Sequence, residues 1–397
     1  MSFSLVHPES RRADRGLSGR SPKPIRILHV IETLLGMGGM EKGVANLVQR
    51  MDPERFEHVV CVIRSLGTLS DWFPADRAKL ICLGQTNSRL SFQAPRIRQA
   101  IQETQPDIVH SRNWGAIETV LAGILTHSAA MVHSEHGMES TDVYPFRRRW
   151  FRRLAFEMVD SVVTVSHNLR DLHSQRTGFP AKRISVIHNG VDMDRFCRSS
   201  SVRVEARQKL GVGPDDFCVG TVGRLEPVKD LLTLLRAAAE VARSRQNLQV
   251  FLAGDGSELP SLKHWLRDQA QFCDRVHFLG EIHDTPAFLN ALDVFVLSSV
   301  FEGISNSLLE AMAARLPVVV SLTGGNPEVV IEGSSGLVFP VGDHRLLAAH
   351  LGRLAEDGEF RERLASQALQ RIRDCFSLES MVSQYEQLYS RLARNPR

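Results

Sequence analysis

The chain has 397 residues, with 48 basic and 45 acidic side chains and a formal net charge of +3 at pH 7. This length predicts two domains around a shared cleft, and the even charge balance excludes nucleic acid as a general partner. A hydrophobic fraction of 43% is typical of a globular protein. No stretch reaches the roughly twenty consecutive apolar residues of a membrane-spanning helix. The sequence predicts a cytoplasmic protein and leaves peripheral contact with the inner face of the cell membrane open.

The first segment, residues 1–24, is polar and arginine-rich and has no apolar core, so it predicts a disordered tail rather than a signal peptide. The six cysteines are widely spaced, lie mostly within apolar runs and form no C-x-x-C pair. They predict buried free thiols of a reducing compartment.

Short apolar, β-branched runs alternate with helical patterns along the rest of the chain. The runs are IRILHVIE, HVVCVIRS, DIVHSR, MVHSEHG, SVVTVS and RISVIHNG, and then FCVGTVGRL, LQVFLAGDG, RVHFLGE, VFVLSS, PVVVSLTGG and SGLVFPV. This alternation predicts an α/β fold with parallel sheets covered by helices. We assign a Rossmann-like N-terminal domain to 25–197, a polar linker to 198–212 and a second Rossmann-like domain to 213–376. A terminal helix in 377–397 could pack back on the N-terminal domain.

The first predicted strand is followed by Gly36, Gly38 and Gly39 and then by a helix. A dinucleotide fingerprint needs a third glycine where Glu41 stands, and an acidic residue at the end of the second strand, where the chain has Arg64. A dehydrogenase is therefore disfavoured. The loop either suits an anion or a closely approaching ligand at a helix N-terminus, or is only a tight turn.

A basic, aromatic segment, YPFRRRWFRRLAFEM, follows the fourth predicted strand. A helix that interleaves arginines with aromatic rings suits an anionic bilayer surface or the phosphate of a lipid-linked acceptor. The alternative is a cleft-edge helix whose apolar side packs on the domain and whose arginines are solvated. The candidate residues are Arg148, Arg149, Trp150 and Arg152.

The first strand of the second domain ends at Gly223, and Arg224 and Lys229 follow in the loop. Two cations at the carboxyl end of a strand can neutralise a diphosphate, although they could also be ordinary surface charges. The next strand ends in a turn with Gly254 and Gly256. In parallel sheets these strand ends border the ligand site, so the loops should converge on the cleft.

The stretch FEGISNSLLEAMA carries two carboxylates, Glu302 and Glu310, around a helix start. Residues 305–307 all favour the N-cap position, so a helix should begin there and run to about Ala313. Glu302 then lies in a loop that faces the cleft, Glu310 lies in the first two helical turns, and free backbone N–H groups point between them. A diphosphate flanked by two sugars fits this arrangement.

Together with "NGVDMDRF" at 189–196, these motifs resemble, in content and order, the family 4 retaining glycosyltransferases of the GT-B fold, in which two Rossmann-like domains face an interdomain cleft. The resemblance covers nearly the whole chain after residue 25. The glycine loop is similar to that of bacterial exopolysaccharide sugar transferases, including those associated with exosortase (PEP-CTERM) systems. The resemblance implies transfer of a sugar from a nucleotide-sugar donor to a glycan or lipid-linked acceptor, with retention of configuration.

The resemblance also implies roles for individual residues. Arg224 and Lys229 would bind the diphosphate, and Glu310 the ribose hydroxyls. Glu302 would bind hydroxyls of the transferred sugar, and His136 would reach that sugar near the reacting carbon, unless it is a structural histidine at a strand end. The other implied donor contacts are Gly38, Gly39, Gly223, Gly254, Gly256, Gly280, Ile282, Gly303, Ser305, Asn306, Ser307 and Leu308.

Several alternatives stay open. Asp192 and Asp194 form a D-x-D string, which binds a metal in unrelated glycosyltransferases, but the family carries this string for structural reasons, so we expect no required metal or other cofactor. Glu302 could be a nucleophile, as in retaining glycosidases, yet its placement in a loop and that of Glu310 on a helix argue against a close pair. Front-side attack is the mechanism usually proposed for the family. A sugar-nucleotide 2-epimerase and a non-catalytic sugar-nucleotide-binding module are the other candidate functions.

Overall fold

The computed structural model describes residues 23–34, 38–65, 67, 72–84, 93–126, 129–137 and 146–394. Gly36 and residues 1–22, which contain most of the predicted tail, lie outside these ranges. Within the described ranges, none of the helices combines the length and the apolar character needed to cross a bilayer.

The first sheet has seven strands in the order β3-β2-β1-β4-β5-β6-β7, and the strands pair in parallel. The strands are β1 (Ile25–Ile31), β2 (Phe56–Val62), β3 (Ala78–Cys82), β4 (Ile108–Arg112), β5 (Ala130–Glu135), β6 (Ser161–Thr164) and β7 (Ile184–Val186). The helices that follow them are α1 (Gly39–Arg50), α2 (Ala94–Thr104), α3 (Glu118–Ile124), α4 (Phe146–Met158) and α5 (His167–Thr177). The predicted parallel sheet is confirmed. Its central strands could be predicted because a strand that is covered by helices on both faces is buried on both sides and leaves a continuous apolar run in the sequence.

One strand of this sheet, β3, was not predicted from the sequence. It lies at the sheet edge and has five residues, of which Lys79 and Cys82 are exposed. An edge strand with solvated side chains lacks the continuous apolar run by which its neighbours were predicted.

The second sheet has six strands in the order β10-β9-β8-β11-β12-β13, and all six were predicted. They are β8 (Phe217–Val222), β9 (Leu248–Ala253), β10 (Val276–Gly280), β11 (Val294–Leu297), β12 (Val318–Ser321) and β13 (Leu337–Phe339). The helices of this half are α6 (Ser200–Leu210), α7 (Leu231–Val241), α8 (Leu259–Arg267), α9 (Thr285–Ala291), α10 (Asn306–Ala313), α11 (Asn326–Val329), α12 (His344–Glu356) and α13 (Gly358–Cys375), and the last helix is α14 (Leu378–Arg394). Two apolar clusters fill the two faces of this sheet.

Residues 198–212, predicted as a polar linker, contain helix α6, which packs on α9 of the second domain. Arg203 reaches Asp293, the residue directly before β11, with a nitrogen–oxygen distance of 2.6 Å. Arg207 is buried and contacts the same carboxylate at 3.3 Å. Charged contacts, rather than a continuous apolar face, hold α6 on the second domain, so apolar periodicity could not reveal the helix.

Helix α14 returns from the second domain to the first. Its backbone enters beside Val191, whose N–H donates to the Phe376 carbonyl at 3.0 Å. Beyond this crossing, Leu388 and Tyr389 pack with Ile27 of β1 and Ile108 of β4 in one buried cluster. The helix therefore completes the core of the first sheet.

All six cysteines are free. Cys61 and Cys218 are buried within strands, whereas Cys82, Cys197 and Cys375 are exposed. The prediction that the thiols are buried is wrong for those three, which lie at a sheet edge and at the crossings between the two halves.

Candidate active site

The two domains meet where α1 of the first faces α10 of the second. The Asn306 amide donates to the Gly39 carbonyl at 3.0 Å. The Lys42 ammonium lies 3.1 Å from a carboxylate oxygen of Glu310. Gly38, the N-cap of α1, and Gly39 therefore lie beside α10, at one wall of the interdomain cleft.

A polar cavity of about 170 Å³ opens at this seam. Lys42, Arg50, Trp72 and Asp192 line it from the first half of the chain, and Glu310 lines it from the second. Lys42 was not predicted as a site residue. Its only signal in the sequence is its place in the first turn of the helix after the glycine loop.

Helix α10 begins as predicted, with Ser305 in an extended conformation as its N-cap and Asn306 as its first residue. The Ser305 hydroxyl pairs with that of Ser307 at 3.1 Å and makes no capping hydrogen bond. The first backbone N–H groups of a helix lack partners within it, so those of α10 are available to a ligand. Leu308 is fully buried and anchors this turn.

Glu302 lies in the loop before α10 and is held by two donors. The Lys229 ammonium lies 2.5 Å from its Oε1 atom, and the Ser299 hydroxyl donates to the same atom at 2.6 Å. Both members of the ion pair are less than one-fifth exposed, with Lys229 at 18% and Glu302 at 12%. The structure thus brings together Glu302 and Lys229, which the sequence places 73 residues apart.

Glycines allow the strand-end loops of the second domain to approach each other closely. A Cβ atom at Gly254 would lie 1.9 Å from the Gly223 carbonyl oxygen, and one at Gly256 would lie 2.5 Å from the Leu225 carbonyl oxygen. The Gly254 N–H donates to the Gly280 carbonyl at 2.7 Å. Only glycine fits such contacts, so the three loops pack as one unit.

Two further residues belong to this unit. Glu226 accepts hydrogen bonds from the Ser257 N–H at 3.2 Å and the Ser257 hydroxyl at 2.7 Å, which ties the β8 and β9 loops together. Ile282, two residues after β10, packs against the core of the domain. Sequence reasoning missed Glu226, because its partner follows a different strand.

His136 lies directly after β5 and opposite the loop of Glu302. A Cβ atom at Gly303 would lie 2.4 Å from the His136 carbonyl oxygen, so the two domains touch here. The His136 N–H donates to the Asn113 side chain at 2.8 Å. Burial, with a further contribution from Arg112, lowers the pKa of His136 to about 3, so its imidazole is neutral near pH 7.

Arg224 is exposed and lines a small pocket with Gly223 and Lys229. It also acts on Glu41 of the opposite domain. Burial raises the pKa of Glu41, and the charge of Arg224 opposes this increase. The charge of Arg224 thus reaches the residue that takes the place of the third glycine of a dinucleotide fingerprint.

One of the four residues predicted on the basic helix α4 does not lie at the surface. Arg152 is buried and lies 2.7 Å from a Glu135 oxygen, so its assignment to the acceptor or membrane surface is wrong. Although burial opposes it, the Arg152 guanidinium holds the pKa of Glu135 well below its usual range. The carboxylate of Glu135, buried on β5, requires a buried cation as its partner. The sequence of α4 alone does not show which of its arginines supplies that cation.

The other three predicted residues of α4 have different surroundings. The Arg148 guanidinium lies 4.9 Å from the centre of the Trp114 ring. Arg149 is exposed, although it donates to the Arg176 carbonyl at 2.7 Å. Trp150 is exposed.

Two groups of residues could suggest a metal. In the D-x-D string, Asp192 pairs with Arg50 and accepts from the Asp194 N–H at 3.2 Å, which gives this carboxylate a structural role. Among the described residues, only His167, His188 and Glu328 place possible ligand atoms within 4.8 Å of one another. Glu328 already accepts from the backbone N–H groups of His167 and Asn168 at 2.8 and 2.7 Å. It thereby caps α5 from the opposite domain.

Comparison with known proteins agrees with this geometry. The model for glycosyl transferases group 1 matches residues 202–371, and the model for glycosyltransferase family 4 matches residues 37–195. The lipopolysaccharide core biosynthesis glycosyltransferase LpsE of Rhizobium meliloti is 31% identical over 245 residues, which are 62% of this chain and 67% of that protein. The chain belongs to the family 4 glycosyltransferases.

Other relatives of this family 4 glycosyltransferase support the same assignment. The UDP-Gal:alpha-D-GlcNAc-diphosphoundecaprenol alpha-1,3-galactosyltransferase of Escherichia coli is 28% identical over 302 residues, which are 73% of this chain and 76% of that protein. The crystal structure of Anabaena HepE in complex with UDP and glucose superposes with a TM-score of 0.79 at 22% identity, and covers 92% of this chain and 99% of that one. The predicted GT-B fold is therefore confirmed.

The close contact between Gly303 and His136 can be tested by adding a methyl group at position 303. In Gly303→Ala the added methyl group cannot occupy its place against the His136 carbonyl, so the loop and the strand end should separate. We expect faster amide hydrogen exchange in peptides covering 130–137 and 302–308. The matched control is Gly352→Ala on α12, where a Cβ atom meets nothing within 4 Å. Unchanged exchange in both segments of Gly303→Ala would contradict the contact.

Proposed function

We propose that this glycosyltransferase transfers a sugar, with retention of anomeric configuration, from a nucleotide-sugar donor to a glycan or lipid-linked acceptor in bacterial cell-surface or exopolysaccharide biosynthesis. The observation that carries this proposal is the junction of the Glu302 loop with His136. There, Glu302 is paired with Lys229 at 2.5 Å, and the next residue lies against His136 of the other domain. On this proposal Lys229 would bind an anion, Glu302 would bind hydroxyl groups, and His136 would border the same space from the other domain.

The donor would lie along α10 and the glycine turns of the second domain. Lys229 and Arg224 would bind the diphosphate, aided by the free N–H groups of residues 305–308. Glu310 would accept hydrogen bonds from the ribose hydroxyls, since its Oε2 atom is buried without a hydrogen-bond partner among the described residues. Glu302 would accept from hydroxyls of the transferred sugar.

Charges in the site favour departure of the diphosphate. As the glycosidic bond breaks, negative charge grows on the leaving oxygen, and preorganised cations stabilise that charge. His136 has a pKa lowered to about 3, so it would be a neutral hydrogen-bond donor rather than an acid. The leaving diphosphate would accept the acceptor's proton, which agrees with front-side attack and retention.

UDP-sugars are the first donors to examine. The HepE structure contains UDP and glucose, and the Escherichia coli relative is named for UDP-Gal. We further propose that no metal is required, because Lys229 and Arg224 line one small pocket and supply positive charge there, and Asp192 is already engaged by Arg50.

A thermal-shift screen tests the donor class. UDP-, GDP- and ADP-sugars are each added to the whole protein, and the cognate nucleotide should raise the melting temperature because it binds the native state. The increase should persist when a chelator is present, and so should transfer activity. A strict requirement for a divalent cation would refute the metal-free proposal, and no shift with any nucleotide would refute the donor class.

Removal of the Glu302 carboxylate separates binding from transfer. Glu302→Ala should reduce transfer at least about 100-fold, the factor typical of losing one preorganised polar group that acts on the transition state. Affinity for the nucleotide diphosphate, measured by calorimetry, should change little. The exposed Glu356→Ala is the control. An equal loss of nucleotide affinity would show that Glu302 binds the nucleotide instead.

The same assay addresses the other candidate functions. A 2-epimerase would release the nucleotide or isomerise its sugar without any acceptor, and a binding module would do neither. Transfer that depends on an added acceptor favours the glycosyltransferase proposal over both.

We also propose that α4 contacts an anionic bilayer surface. Phe146, Trp150, Phe151 and Leu154 are exposed on it, and its arginines supply positive charge beside these rings. Amphipathic helices of this composition bind the headgroup region, with affinity that depends on anionic lipid. A lipid-linked acceptor would then reach the cleft from that surface.

Vesicle sedimentation tests this contact. The protein should bind vesicles that contain phosphatidylglycerol, bind less at high salt, and ignore vesicles of phosphatidylcholine alone. Replacing both Trp150 and Phe151 by Ser should abolish binding, whereas Val204→Ser, at an exposed apolar residue of α6, should not. Equal binding by the double variant would refute the proposed surface.

A further inference from the structure

A chain of hydrogen bonds crosses the first sheet from the C-terminal helix to His136. The Tyr389 hydroxyl lies 2.7 Å from Nδ1 of His110. Nε2 of His110 lies 2.9 Å from the Ser134 hydroxyl, and that hydroxyl lies 2.9 Å from Nε2 of His136. We call these four residues the Tyr389–His136 chain; its members other than His136 are buried.

Arg112 decides the direction of the chain. One guanidinium nitrogen lies 3.1 Å from Nδ1 of His110, and a guanidinium can only donate hydrogen bonds. Nδ1 of His110 must therefore accept a hydrogen bond. The proton of this imidazole is then on Nε2, and the Nε2–H group donates to the Ser134 hydroxyl. The reverse order would direct an N–H group of His110 at a permanent positive charge.

The order continues to His136. The Ser134 hydroxyl accepts from His110 and has one hydrogen to donate. Among the described residues, Nε2 of His136 is the other hydrogen-bond partner of this hydroxyl, so we direct the hydrogen there. Nε2 of His136 then carries a lone pair, and the single proton of the neutral ring resides on Nδ1. Both rings are neutral, because burial, and next the charge of Arg112, hold the pKa values of His110 and His136 well below their usual range.

The other charged groups around the chain do not oppose this order. Glu135 is paired with Arg152 at 2.7 Å, and His133 bonds to Ser111 at 2.8 Å and to Glu135 at 3.3 Å. His29 is paired with His58 at 3.0 Å. Arg112 is thus the charged group that forms a hydrogen bond to the chain, whereas the charge of Glu135 acts on the pKa of His136 in the opposite sense to Arg112 and does not reverse the lowering.

We propose that Arg112, His110, Ser134 and Tyr389 are positioning residues that hold His136 in its Nδ1–H form, ready to donate to an oxygen of the transferred sugar. Nδ1 of His136 is buried and has no hydrogen-bond partner among the described residues. A buried donor without an acceptor is costly, and a sugar hydroxyl supplies that acceptor. The identification of the ligand as a sugar rests on the proposed function, whereas the assignment of the His136 proton to Nδ1 does not.

Long-range ¹H–¹⁵N NMR of the whole protein, labelled at histidine nitrogens and free of donor, tests this assignment directly. The spectrum of His136→Gln identifies the His136 signals. Nδ1 should be protonated and Nε2 unprotonated. An Nε2–H form in the wild-type protein would overturn the proposal, whether or not the protein transfers sugar.

Ser134 provides the second test. Ser134→Ala removes the donor to Nε2, so His136 should move toward the Nε2–H form and kcat should fall by about 10- to 100-fold, as for one oriented hydrogen bond. KM for the donor should change less than kcat. Ser134→Thr, which keeps the hydroxyl, should restore both the NMR signature and kcat. Ser161→Ala, at a buried serine of the neighbouring strand β6, should change neither.

The outcomes distinguish this proposal from the proposed function. An Nδ1–H signal in a protein that transfers no sugar would refute the enzyme activity and leave the positioning role of the chain intact. If the wild-type protein transfers sugar but the His136 signals of Ser134→Ala are the same as those of the wild-type protein, the positioning role alone is refuted. If Ser134→Ala fails to fold, the wild-type spectrum and Ser134→Thr still decide.

Discussion

The candidate site depends on one close approach, that of Gly303 to the carbonyl of His136. A side chain at 303 would have no room, since its Cβ atom would lie 2.4 Å from that oxygen. The contact sets how near the Glu302 loop comes to the first domain. It therefore sets how near the Lys229–Glu302 pair lies to the strand end that carries His136, and the proposed function places these three residues around one molecule. The same seam is held on one side by Asn306 and Gly39 at 3.0 Å.

Charges in the cleft are arranged in pairs that a charged ligand can rearrange. Lys229 is paired with Glu302, and Lys42 with Glu310. Partly buried ion pairs contribute little net stability, because desolvation offsets their attraction, so these four residues are better explained by binding than by folding. Under the proposed function, an entering diphosphate would take over the lysine contacts and leave the carboxylates to accept hydrogen bonds from hydroxyl groups.

The C-terminal helix links folding to the site. Tyr389 closes the core of the first sheet with Ile27 and Ile108, and its hydroxyl ends the chain that reaches His136 through His110 and Ser134. A residue near the end of the sequence thus contacts the interior of the domain formed by its beginning. The return of α14 makes this possible, since it covers β1 and β4 at the centre of the sheet.

The sequence by itself determined the succession of buried strands and the loop chemistry at their ends, because buried parallel strands leave continuous apolar runs and a helix start leaves its capping residues. Ser305 at the start of α10, with Glu302 and Glu310 around it, could be placed on that basis. The edge strand β3 and the charged helix α6 could not, because solvated or ion-paired elements leave no apolar period. Arg152 on α4 is buried because Glu135 lies on β5, and Lys42 belongs to the site because it meets Glu310. Only the tertiary structure decided these pairings, since each joins segments far apart in the chain, and sequence patterns record only local environment.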